Sequence, residues 1–93
     1  MSLENLTSKY IISTELALNG IQRKTEPVIV TNETVTNILS HAANYLKDAK
    51  YYKAQEKLET SLTSIAYCEG LLDALKLLGA VEFEWSTKTK RTK

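Results

Sequence analysis

The sequence predicts an all-α fold, an antiparallel three-helix bundle. Three observations lead there. Apolar residues recur at helical three-and-four spacing over three long stretches. Breaks of different kinds separate those stretches. The remaining extended patterns, at 28–30 and 81–85, are too short to build a sheet.

The first helix is expected over 3–24. Leu3, Leu6, Tyr10, Ala17 and Ile21 trace its stripe, and Ile11, Ile12, Leu16 and Leu18 widen it. Ser2 is placed to accept a hydrogen bond from the first free backbone amides. Gly20 weakens the last turn by about 1 kcal/mol relative to alanine, and Pro27 forbids continuation. Val28, Ile29 and Val30 are β-branched. With no secure strand partner, they are expected to form an extended connector packed on the bundle.

The second helix is expected over 33–53, capped by Thr31 or Asn32. It carries the cleanest stripe: Val35, Ile38, Leu39, Ala42, Tyr45, Leu46, Ala49 and Tyr52. Asn37, Ser40, Asn44, Lys47 and Lys50 form its outer face. Leu58 is six positions beyond Tyr52, about 120° short of two full turns, so a turn is expected near 53–56.

The third helix is expected over 55–78, with Gly79 at its end because glycine takes the left-handed conformation cheaply. Leu58, Leu62, Ile65, Cys68, Leu72 and Leu75 form one stripe, broadened by Leu71 and Leu78. A row of small residues, Ala66, Gly70 and Ala74, lies beside it. The two patterns together predict a central helix touching two neighbours. After Gly79, Val81, Phe83 and Trp85 alternate with Glu82 and Glu84, the pattern of a half-buried extended segment. That segment is expected either to pair with 28–30 or to lay its aromatics over the bundle. The helical domain is thus 1–79, and 80–93 is an extended aromatic segment with a basic, disordered tail.

Composition narrows the function classes. Ninety-three residues make one domain near the small end of the range that folds alone. The chain is 43% hydrophobic and 25% charged, ordinary for a globular protein. No apolar run reaches the roughly 20 residues that cross a bilayer, and Met1 to Asn5 lack a signal-peptide pattern. A cytoplasmic chain without membrane contact is expected. One cysteine, Cys68, excludes an internal disulfide and cysteine-based zinc sites, and one histidine, His41, excludes two-histidine metal motifs. No metal ligand set and no cofactor are therefore assigned. The formal charge of +1 hides an asymmetry: 1–86 carry 8 basic and 11 acidic residues, while Lys88, Lys90, Arg91 and Lys93 make the tail basic.

Tyr45, Leu46, Asp48 and Ala49 on the second helix are followed on the third by Ala66, Tyr67, Glu69, Gly70, Leu72, Asp73, Ala74 and Leu75, and then by Gly79. In these residues the stretch 43–79 resembles the archaeal family known as domain of unknown function 357. Relatives often have glycine at the turn, where this chain has Ala54-Gln55-Glu56. The resemblance implies an archaeal cytoplasmic three-helix bundle and no particular activity. Some relatives are joined to a nucleotidyltransferase-like domain, which hints at accessory work.

The candidate chemistry is thin. Glu69 and Asp73 lie one turn apart, as paired carboxylates that hold magnesium or share acid–base work do. The simpler expectation is that Asp73 meets Lys76 and Glu69 bonds across a helix interface. Glu56-x-x-Glu59 invites comparison with all-helical nucleotide pyrophosphatases. Their second pair is Glu-x-x-Asp, however, and here it is one residue longer. His41 has no arginine four to six residues before it, so the motif of helical HEPN ribonucleases is missing. Cys68 reads as a small buried hydrophobe. Tyr45, Tyr51, Tyr52 and Tyr67 gather near the hairpin of helices two and three, as contact surfaces or as the rim of a small core.

The leading expectation is a non-catalytic helical interaction or accessory module, binding a protein partner or a second copy. Its binding residues would be Tyr45, Asp48, Tyr52, Tyr67, Glu69, Gly70 and Asp73. The alternatives are an RNA- or nucleotide-associated module using the tail (Lys88, Lys90, Arg91, Lys93) with the tyrosines, and a magnesium-dependent nucleotide hydrolase centred on Glu69 and Asp73.

Overall fold

The structure, a computed structural model, describes residues 2–86. It is all-α, with three helices and no strand among the described residues: α1 (Leu3–Gly20), α2 (Asn32–Ala54) and α3 (Leu58–Leu77). Ser2 caps α1, its hydroxyl accepting from the Asn5 amide at 3.0 Å. Thr31 caps α2 through a bond from the Thr34 amide at 3.1 Å. α1 ends at Gly20, four residues before the expected Lys24, with Ile21 already extended. The glycine and Pro27 together make 21–31 a non-helical connector.

The turn between α2 and α3 is a Schellman motif. The Lys57 amide donates to the Tyr52 carbonyl at 2.9 Å and the Glu56 amide to that of Lys53 at 3.0 Å. Such a turn requires one left-handed residue, and Glu56 supplies it at φ 60°. The same motif closes α3. The Ala80 amide donates to Leu75 at 3.0 Å, the Gly79 amide to Lys76 at 2.9 Å, and Gly79 sits at φ 76°.

α2 and α3 fold back on each other as an antiparallel pair. Near the turn the Ser61 hydroxyl donates to the Ala49 carbonyl at 2.7 Å. Further along, the rings of Tyr45 and Tyr67 meet edge to face, with centroids 4.4 Å apart. The core lies between these helices: Ala42 and Ala49 from α2, Cys68 and Leu75 from α3. Leu75 is 1% exposed. Val35, Ile38, Tyr45 and Tyr52 are half-buried along α2, as are Ile65, Leu71 and Leu72 along α3. The alanines of α2 let α3 approach closely, and the larger side chains of α3 fill the space.

α1 stands apart. None of its Cα atoms comes within 8 Å of a Cα in α2 or α3, and none of its residues is buried. Its large apolar side chains range from 36% exposed (Leu6) to 68% (Leu16). Two expectations are corrected as a result. α3 packs on one helix rather than two, so Leu58, Leu62 and Leu78 of its stripe stay exposed. The connector does not pack either, since Ile29 is 82% exposed, because the helix it would bridge to is not docked. The 80–86 segment takes the second of its two expected arrangements. It pairs with no strand, and Val81, Phe83 and Trp85 are half-buried while Glu82 and Glu84 face out.

Candidate functional site

The residues singled out in the sequence fall into three places. The first is the flank of α3 that carries Glu69 and Asp73. The C-terminal segment folds back onto this flank, because the Gly79 turn reverses the chain. The Trp85 indole N–H donates to the Asp73 carboxylate at 2.9 Å. Lys76, the expected partner of Asp73, places its ammonium 4.8 Å from the centre of the Phe83 ring. Phe83 and Trp85 meet edge to face with centroids 5.0 Å apart. Asp73 therefore helps dock an aromatic strap. Among the described residues, no three His, Cys, Asp or Glu side chains come together to hold a metal ion.

The second place is a shallow cleft on one side of the α2–α3 pair. Ile38, His41, Tyr45, Tyr67 and Leu71 line it, and its volume is about 200 Å³. The tyrosines expected to form one cluster separate into two pairs. Tyr45 stacks with Tyr67 across the helices, and Tyr51 with Tyr52 along α2 at 5.2 Å. Tyr45 and Tyr52 are half-buried and Tyr51 and Tyr67 are exposed, so each pair combines core and rim. Asp48 is exposed on α2. Gly70 is exposed on α3, and a Cβ there would meet nothing within 4 Å. Ala66, Gly70 and Ala74 are all exposed, so the small-residue row receives no neighbour from among the described residues.

The third place was not singled out as a site, although its large apolar residues were read as the stripe of the first helix. α1 lies across from the start of α3, with open space between them. A cleft of about 530 Å³ is lined by Tyr10, Ile11 and Leu18 of α1 with Thr7, Thr14 and Glu15 beside them, and by Thr63 of α3. A second, of about 490 Å³, lies between Leu3, Leu6 and Tyr10 and the Glu59–Thr63 turn. Periodicity marked this face as apolar; it carried no sign that the face would be left uncovered.

Cys68 is buried, as its place on the stripe predicts, and burial pushes its thiol pKa above the ordinary 9.0, with Glu69 adding to the rise. A neutral buried thiol is packing material rather than a nucleophile. Lys88, Lys90, Arg91 and Lys93 lie outside the described residues. Among those described, no helix is long and apolar enough to cross a membrane.

The model of a protein family of unknown function, DUF357, matches residues 9–81. No curated protein and no solved structure matches.

Proposed function

We propose, for a chain that belongs to the DUF357 family, that it is a helical interaction module whose docking element is α1. The observation that carries this reading is the exposure of α1. An eighteen-residue helix with apolar side chains on most of its circumference buries none of them within the chain. Such a helix is stable in water only when something covers it. The α2–α3 pair is the scaffold, and the strap of Phe83 and Trp85 braces it from one side.

The acidic pair supports this reading more than a catalytic one, since Asp73 is engaged by Trp85 and Cys68 is buried. The test is association. Light scattering on the purified chain, combined with a pull-down from native lysate, is expected to show either self-association or a retained partner. A strict, partnerless monomer in both would end the proposal.

A further inference from the structure

We propose that the cover over α1 is a second copy of this chain, in a symmetric dimer that buries α1 and the exposed start of α3. This deepens the interaction reading and rests on it.

The first argument is area. The chain has 8309 Å² of accessible surface, whereas a compact monomer of 10.5 kDa exposes about 5,400 Å². The excess is about 2,900 Å². Residues 1 and 87–93, even at the roughly 160 Å² each of an extended chain, account for less than half of it. The connector 21–31, exposed throughout, takes up a further share, and what is left, on the order of 1,000 Å² per chain, is comparable with the ~800 Å² that each partner contributes to an ordinary interface.

The second argument is chemical. At about 100° per residue, the arc of α1 from Leu6 through Tyr10, Leu3 and Leu18 to Ile11 spans roughly 140°. It holds no charge itself; Glu4 and Glu15 flank its Ile11 edge, Glu15 lining the larger cleft, and Lys9 lies on the far side. A twofold axis sets the same patch against itself, so an uncharged arc meets its copy without like charges facing. Ile12 and Leu16 lie on the opposite side of α1, and both are more than half exposed. A helix apolar on two sides needs two neighbours, and its own α2–α3 pair supplies at most one. Leu58 and Leu62 of α3 are exposed as well, on a side of that helix away from the clefts, whose α3 lining is Glu59, Thr60 and Thr63.

The third argument is availability. Four buried residues among those described are a small core. A cover that is always present, at matching amount, is another copy of the same product.

The test uses the purified full chain in sedimentation equilibrium across a wide concentration range. The expected species has twice the 10.5 kDa of the chain. Tyr10→Glu with Leu18→Glu places charge on the arc at two positions that are each 64% exposed in the single chain. This pair is expected to weaken the dimer by on the order of a hundredfold while α2 and α3 remain helical by circular dichroism. Lys47→Glu, on the outer face of α2, is expected to leave it unchanged. A wild-type chain that is monomeric throughout, or a double variant that dimerises as tightly, would overturn the proposal. If the monomeric chain still retained a lysate partner through Tyr10 and Leu18, the second copy would be excluded and the interaction reading would stand. A monomer with no partner would remove both.

Discussion

Leu75 is the side chain on which the interior most depends. It is the largest fully buried residue, enclosed where α3 meets α2. Leu75→Ala removes its transfer energy and leaves a cavity, together about 2–5 kcal/mol. With so small a core, the loss should unfold much of the chain at ambient temperature, as read from the urea midpoint. Glu56 carries strain of another kind. Its φ of 60° is forced by the Schellman turn, and a Cβ makes that conformation costly. Glu56→Gly should raise stability by up to about 1 kcal/mol, because relief of that strain outweighs the extra freedom of an unfolded glycine. Cys68 gives a pH signature. Its folded pKa is raised, so well below pH 9.0 the thiol is neutral in both states and contributes nothing to pH dependence. Above that value the unfolded thiol ionises first, and stability falls as pH rises. Cys68→Ala should remove this alkaline component, and a titration of unfolding midpoints from pH 8 to pH 10 reads it.

At the scale of elements, α2 and α3 hold each other while α1 holds nothing. Among the contacts that fasten the strap 80–86 are the hydrogen bond from Trp85 to Asp73 and the seat of Phe83 beneath the Lys76 ammonium. Trp85 is the single tryptophan of the chain, so its emission reports on docking directly. Asp73→Ala should shift that emission to the red and cost about 1 kcal/mol, the net value of an exposed hydrogen bond. An unshifted spectrum would mean that the contact of Phe83 with Lys76 holds the strap without it. α3 begins at Lys57 with no side-chain cap, whereas α1 and α2 have Ser2 and Thr31. Its start is fixed by the Schellman turn before it and by the Ser61 bond to Ala49.

For the whole molecule, the proposed cover of α1 by a second copy predicts that stability depends on concentration. Folding coupled to association stabilises by mass action, so the thermal midpoint should rise as the chain is concentrated. The Tyr10→Glu, Leu18→Glu pair should lower that midpoint and flatten its dependence on concentration. A midpoint independent of concentration in the wild-type chain would contradict the second-copy proposal.

Much of this was legible in the chain. Helical spacing, two cap residues and the glycine after α3 located three helices to within a few residues, and Tyr45 through Gly79 carried the family resemblance. These are local properties: spacing decides which face of a helix is apolar, and a cap or left-handed residue decides where it ends. The turn at 55–57 was harder to see because glutamate, rather than glycine, occupies the left-handed position. Whether an apolar face finds its cover is not local. Leu3 through Leu18 have the same spacing docked or undocked, and only the relative placement of distant segments shows that α1 lies across an open cleft from α3. The pairing of Asp73 with Trp85, twelve residues on, likewise depends on how the chain reverses at Gly79. Periodicity records what each helix would bury; the energy of contact between separate helices settles what is buried.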